Sequence, residues 1–597
     1  MFLRCKVRIK NGKEHRSWSI VENRRLANGR VVQRHVLYLG EINDSQSLAW
    51  RKSVEAFLED QPDGPASTLS LFSDDRVASP IADENIVRLR LSELKLCRPR
   101  QWGACWLALH LWRELELDKF WSQRLPPNRK ATCWEQILAV LVCYRLLCPG
   151  SEWRLHRQWF LSSALPDLLG SDFRLAEQHK LYECHDRLLK HKAALFSHLR
   201  QRWSDLFNAS FEVLLYDLTS TYFESSPPFE AGDKRRFGYS RDKRSDCVQV
   251  VIALIVTPEG FPLAYEVLPG NTSDKTTLKD FLARIEEQYG KAKRIWVMDR
   301  GIPTEETLAQ MRAQDPPIQY LVGTPKGRLS QYEHSLLEKP WQEARQGVDV
   351  KLLPQDKELY ILARSHDRIA KERSMRRRQL KKLWKRLKEI QGMELTRDEL
   401  MKKLGVAQHE GPAAWRLLEV TVASTRKKQK TTFTYQLLKD KLRTVRRREG
   451  RYLLRTNLTE KDPAKLWNFY LQLTQVEEAF RNLKGDLALR PIYHQLGARI
   501  EAHIFICFLA YCLHVTLGRR LRDLAPGLTT RSALEKFAAM QMLDVRIPTT
   551  DQREVILTRY TQPEPELQLL INKLKLELPL QPPPRITAQA TQPQEAL

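Results

Sequence analysis

Three acids are spaced for metal chemistry. Asp217 ends the apolar run Phe211-Glu-Val-Leu-Leu-Tyr216, Asp299 ends Ile295-Trp-Val-Met298, and Glu477 lies inside the helical stretch Tyr470–Lys484. Carboxylates at two strand ends and on one helix suit a pair of Mg²⁺ ions, which would cut phosphodiester bonds by in-line displacement. The third acid needs a helix to carry it. Asp462 is a natural N-cap, Pro463 fits the first turn and Gly485 the exit, so one helix is predicted between them. On it Tyr470, Leu473, Glu477, Arg481 and Lys484 share a face, and Glu478 points about 100° away. Taken alone, Glu477 and Arg481 at i, i+4 read first as an ordinary surface ion pair.

The first two acids need a sheet. Strands are predicted over 211–216, 248–256 and 263–267, a helix over 275–289, a strand over 295–298, a helix over 304–314 and a strand over 319–322. The run Val248-Gln-Val-Val-Ile-Ala-Leu-Ile-Val256 is nearly unbroken, as in a strand buried on both faces. This β-β-β-α-β-α-β order is that of a ribonuclease H-like fold, with Asp217 and Asp299 on neighbouring strands. The fold class is therefore α/β: a ribonuclease H-like core with an inserted mixed β-rich domain, plus N-terminal small β and α-helical domains.

The expected domains are 1–95, a small β-containing region with a linker; 96–205, helical; 206–330, the first part of the core; 331–450, an insertion; 451–520, the second part of the core; and 521–597, ending in a disordered tail from about 570. In the helical region, 134–147 reads as a helix broken at Pro149-Gly150. Ser151 caps the next helix, with Arg154, His156 and Arg157 expected to be exposed, which suggests a DNA-binding helix pair. In the insertion, a helix over 368–390 carries Arg376, Arg377, Arg378, Lys381 and Lys382 opposite an apolar face of Leu380, Leu383, Trp384 and Leu387. A solvated helix is the plain reading, and contact with phosphate is the functional one.

Composition points to the same partner. The chain has 597 residues and a net charge of 98 − 72 = +26, which favours a polyanion, with nucleic acid ahead of an anionic membrane surface. The longest apolar run, Ile504–Leu517, is shorter than the roughly 20 residues of a span and reads as a core helix. The N-terminus has no apolar signal stretch, so a cytoplasmic, nucleoid-associated protein is expected. None of the ten cysteines forms a Cys-x-x-Cys pair. Cys143 with Cys148 and Cys507 with Cys512 read as small core residues in a reducing compartment rather than as metal ligands.

These residues carry a resemblance. Tyr470, Glu477 and Lys484 fall on the Tyr-x2-Arg-x3-Glu-x6-Lys signature of a group of bacterial insertion-sequence DDE transposases, and Leu473 stands where that group has arginine. Further matching stretches are Tyr216–Glu224, Gly238–Lys243, Phe261–Ser273, Val297–Gly301, Leu489–His494 and Arg499–His503. Asp217 to Asp299 is 82 residues and Asp299 to Glu477 is 178, and the resemblance implies an inserted, largely β domain in the longer interval.

It implies Asp217, Asp299 and Glu477 as catalytic acids and metal ligands for Mg²⁺, with Mn²⁺ able to substitute. It also implies Tyr470, Arg481 and Lys484 on DNA, and a homodimer acting on paired element ends and target duplex. His494 and His503 could assist, although a histidine so placed more often contacts backbone. Three alternatives stay open: a catalytically lapsed DNA-binding relative, a nuclease of the same fold without strand transfer, and a structural nucleic-acid scaffold that uses the basic helix over 368–390.

Overall fold

The computed structural model describes residues 2–10, 13–25, 31–40, 78–80 and most of 88–587, together with Ser47 and Arg51. The longer stretches outside the description within that last range are 128–131, 228–231, 290–293, 325–331, 333–338 and 424–430.

In chain order the strands and longer helices begin with β1 (Phe2–Lys10), β2 (Lys13–Arg25), β3 (Val31–Gly40), β4 (Ala78–Pro80) and β5 (Lys95–Gln101). Helices α1 (Gly103–Glu114), α2 (Trp134–Leu147), α3 (Gln178–His185) and α4 (Lys192–Phe207) follow. Then come β6 (Val213–Phe223), β7 (Val248–Val256), β8 (Pro262–Pro269), α5 (Asp274–Tyr289), β9 (Ile295–Met298), α6 (Glu305–Ala313) and β10 (Gln319–Thr324). Next are β11 (Gln342–Arg345), β12 (Val348–Gln355), β13 (Glu358–Ser365), α7 (His366–Gln391), α8 (Arg397–Glu410), β14 (Leu418–Val422), β15 (Phe433–Leu437), α9 (Lys439–Arg447) and β16 (Arg451–Thr456). The chain ends with α10 (Pro463–Leu471), α11 (Leu473–Lys484), α12 (Gly497–Leu524), α13 (Thr530–Ala538), β17 (Gln541–Pro548), β18 (Glu554–Tyr560), α14 (Pro565–Lys573) and β19 (Arg585–Thr587).

The chain divides into two compact units. The first comprises 1–210, 219–271 and 477–597, and the second 211–218 and 272–476. Strand β6 and helix α11 each run through a division point.

The first unit is built around α12, which packs against α2 and is buried along most of its length. It is long and apolar enough to cross a membrane by composition, yet its apolar window is 89% buried inside the protein. That agrees with the core-helix reading of 504–517. Strands β7 and β8 form an antiparallel hairpin, and every residue of β7 is buried, as its continuous apolar run predicts. The N-terminal β1-β2-β3 meander is antiparallel.

The C-terminal residues correct the expected tail. Of the stretch expected to be disordered from about 570, α14 runs to Lys573 and β19 (Arg585–Thr587) joins a sheet with β4, β5, β17 and β18 in the order β4-β19-β18-β17-β5. Arg98 and Arg100 of β5 reach the buried Asp544 of β17 at 3.0 and 3.1 Å. Nothing local reveals this, because the partners lie about 450 residues apart and Gln581-Pro-Pro-Pro584 before β19 reads like the Gln- and Pro-rich residues after it.

The second unit holds the strand order β11-β12-β13-β16-β10-β9-β6. β6 and β9 are parallel, as are β9 and β10, whereas β10-β16, β13-β16 and β12-β13 are antiparallel. The expected β-rich insertion is revised. Its strands β11–β13 extend this sheet, and the remainder, 366–447, is mainly helical with one β14-β15 hairpin. Leu383, Leu387 and Ile390 of α7 pack with Leu400, Leu404 and Phe433 in a small core of that remainder. The apolar face of α7 is narrower than predicted, since Trp384 is 38% exposed.

Candidate active site

Asp217 and Asp299 are set by register within the second unit. Tyr216 of β6 pairs with Met298 of β9, so each acid is the next residue on one of two adjacent parallel strands. Asp217 is half-buried, and its Oδ1 accepts the Leu218 N–H at 2.8 Å. Asp299 follows the last residue of β9 and is exposed. Hydrophobic pairing of Leu214 and Leu215 with Trp296 and Val297 holds the two strands together, the Glu212 carbonyl accepts the Ile295 N–H at 2.8 Å, and β6 continues past Asp217 to Phe223 rather than ending at Tyr216 as predicted.

The helix carrying Glu477 is broken, contrary to the single helix expected. Asp462 caps α10, its carboxylate accepting the Ala464 N–H at 2.9 Å, with Pro463 in the first turn. The break falls at Gln472, and α11 ends before Gly485, whose N–H bonds the Arg481 carbonyl at 2.8 Å. Tyr470 therefore belongs to α10, where it packs with Tyr452 and Trp467 at ring separations of 5.8 and 5.6 Å.

Glu477 is exposed on α11, and the plain ion-pair reading does not hold for it: Arg481 reaches Glu478 instead, at 3.4 Å. Arg481 is 74% exposed and stays available to an anion. Lys484 is committed within the first unit to Asp242 at 3.3 Å, and Arg490 reaches the same carboxylate at 2.7 Å. Arg490 and Arg244 also sit over the Tyr222 ring, at 5.0 and 4.7 Å. Asp242 lies in a stretch that matches the family, yet sequence reasoning gives that acid no role. Nothing local reveals that it gathers Lys484 and Arg490.

The basic helix splits in the same way. Arg377, Arg378, Lys381 and Lys382 of α7 are exposed, and Arg378, Lys381, Lys382, Lys385 and Lys388 surround Trp384 in a shallow cationic surface. Arg376, expected on DNA, instead pairs with the buried Glu449, which Arg373 also reaches at 2.7 Å. Of the helix-pair candidates, Ser151 caps as expected and Arg154 is exposed, but His156 and Arg157 are half-buried. The His156 Nδ1 lies 2.7 Å from the Ala176 carbonyl, and burial pushes its pKa down to about 4.

Residues 209–513, 305 of the 597, match the model of the transposase DDE domain. The chain belongs to the DDE transposases. Residues 3–63 match the N-terminal domain of IS1634 family transposases, which places this transposase in the insertion-sequence group. All three acids, the Asp242 cluster and the basic helix fall inside the matched DDE domain. No curated protein matches the chain. Among solved structures, the piggyBac transposase synaptic complex with hairpin DNA is similar over 76% of this chain and 82% of that one, at 9% identity and a TM-score of 0.34. A likeness that loose carries no argument about this transposase.

Proposed function

We propose that this transposase cuts the ends of its own insertion sequence and joins the freed 3′-OH to target DNA, using Asp217, Asp299 and Glu477 as metal-binding acids on a ribonuclease H-like core. The observation that carries the reading is the register of β6 and β9, in which Asp217, inside β6, and Asp299, just past the end of β9, each follow a paired residue of two adjacent parallel strands. Glu477 joins them through its place in the Tyr-x6-Glu-x6-Lys pattern.

The donors fit the implied ion, since Mg²⁺ prefers carboxylate oxygen and keeps water positions for phosphate. When bound, divalent ions would supply charge stabilisation for the attacking and leaving oxygens. The three carboxylates would hold that charge in place. Exposed Arg481 would take the backbone phosphate beside the cut, and Arg377, Arg378, Lys381 and Lys382 would bind flanking phosphates without reading sequence. Water attacks the phosphorus and the 3′ oxygen leaves; that 3′-OH then attacks a target phosphodiester and displaces the target's own 3′ oxygen, so no covalent link to protein forms. Action as a homodimer on paired ends belongs to this proposal.

The test is Mg²⁺-dependent cleavage of DNA bearing the element's ends. Asp217→Ala, Asp299→Ala and Glu477→Ala should each lose cleavage at least about 10³-fold while still binding DNA, and Glu478→Ala should cleave almost normally. Activity surviving in Glu477→Ala but not in Glu478→Ala would overturn the third ligand. Binding without cleavage by the unaltered chain would favour the lapsed relative, and nicking without joining would favour the nuclease.

A further inference from the structure

A second group of ligand-type side chains lies wholly inside the first unit. Glu152, His185, His494 and His503 are all buried, and their four ligand atoms lie within 4.8 Å of one another. Glu152 follows the Ser151 cap and precedes a π-helical turn at Leu155–Trp159. His185 ends α3, His494 lies in the segment after α11, and His503 is in α12.

The geometry is that of a closed four-ligand centre. From Glu152 Oε1 the distances are 3.4 Å to His185 Nε2, 3.3 Å to His494 Nε2 and 3.7 Å to His503 Nδ1. A tetrahedral zinc site with bonds of about 2.0–2.1 Å has edges of about 3.3–3.4 Å.

The far side of two rings fixes their tautomers. His185 Nδ1 lies 2.8 Å from the Leu181 carbonyl and His503 Nε2 3.2 Å from the Leu489 carbonyl. A carbonyl accepts only, so those nitrogens carry the protons. In each neutral ring the other nitrogen then points a lone pair toward the Glu152 carboxylate, and neither has a hydrogen-bond partner. A divalent cation between those lone pairs and the carboxylate oxygen would satisfy all of them at once. Metal-ligating histidines characteristically donate their second N–H to a backbone carbonyl, as both rings do here.

We propose that Glu152, His185, His494 and His503 bind one divalent transition metal, zinc by preference, as a structural centre separate from the acids of the proposed reaction. Three imidazoles and one carboxylate suit zinc and not Mg²⁺, which wants oxygen donors. Four protein ligands leave no open position, which is the mark of a structural rather than a catalytic centre. The centre ties the turn after α2 and the end of α3 to the segment that follows the Glu477 helix. Arg145 supports that same segment, donating to the Ala488 carbonyl at 3.1 Å.

The experiment uses the full chain without a histidine tag, carrying Asp217→Ala, Asp299→Ala and Glu477→Ala so that the other acids cannot hold metal. Elemental analysis should find one zinc per chain, and cobalt exchange should give the intense visible absorption of a four-coordinate ion. His185→Ala and His503→Ala should each lose the metal. Because those variants could fail to fold, chelation of the parent protein provides a second reading: the melting temperature should fall and return on adding zinc. A folded, metal-free protein that takes up no four-coordinate cobalt and melts unchanged with chelator would overturn the proposal and leave a hydrogen-bonded cluster. Undiminished zinc in both histidine variants would overturn it too.

Discussion

Arg376 and Arg378 are two positions apart on α7 and face different work. Arg376 is only 16% exposed and is held by Glu449, whose side chain is fully buried. Arg378 is exposed beside Lys381 and Lys382. Arg376→Ala should cost about 1–3 kcal/mol, because the Glu449 carboxylate loses one of its two guanidinium partners, and should leave the salt dependence of DNA binding unchanged. Arg378→Ala or Lys382→Ala should leave stability within about 0.5 kcal/mol and lower the slope of log K against log salt by about 0.9 for each phosphate that is no longer neutralised. Denaturant melts and binding titrations at several salt concentrations separate the two. Identical behaviour of Arg376→Ala and Arg378→Ala would refute this division.

Among elements, two glycine-containing stretches that share in the family resemblance meet across β7. Gln249 donates from Nε2 to the Tyr239 carbonyl at 3.0 Å and to the Gly270 carbonyl at 2.8 Å. A Cβ on Gly238 would collide with the Gly270 carbonyl, and one on Gly270 with the Gln249 carbonyl. These glycines are there for close backbone approach, and neither has the positive φ that would otherwise call for glycine. Gly270→Ala should destabilise by about 1–3 kcal/mol or more, since backbone and not a flexible side chain would have to move. Gln249→Ala should cost about 1–3 kcal/mol by stripping two carbonyls of their donor. Calorimetric melting measures both, and a Gly270→Ala protein as stable as the parent would show that the approach is not tight.

For the molecule as a whole, histidines shielded from water set an acid limit. Desolvation pushes His514 down to about 4, against a weaker opposite pull from Asp486, and pushes His156 down to about 4 with Arg157 and His179 adding to the effect. Their ordinary value is 6.5. Between about 4 and 6.5 the unfolded chain takes up protons that the folded chain refuses. Stability should therefore rise with pH through that window and level off above it. His514→Gln should flatten part of the rise in a plot of melting temperature against pH. A parent protein whose melting temperature is level across the window would contradict both depressed values.

What the sequence determined by itself is whatever local pattern controls. An unbroken apolar run makes β7 a strand buried on both faces, Trp134–Leu147 forms the helix its pattern predicts, and the apolar run before Asp299 ends as β9 at Met298, whereas β6 runs on past Asp217 to Phe223. Hydrophobic periodicity and capping chemistry act over a few residues, so they can be read along the chain. Only the tertiary structure decided which distant groups meet. Asp242 gathers Lys484 and Arg490, Glu449 takes Arg376, Asp544 takes Arg98 and Arg100, and Glu152 faces three histidines from three other segments. A buried charge or imidazole must find a partner wherever packing brings one, and separations of tens to hundreds of residues leave no local trace of which partner that is.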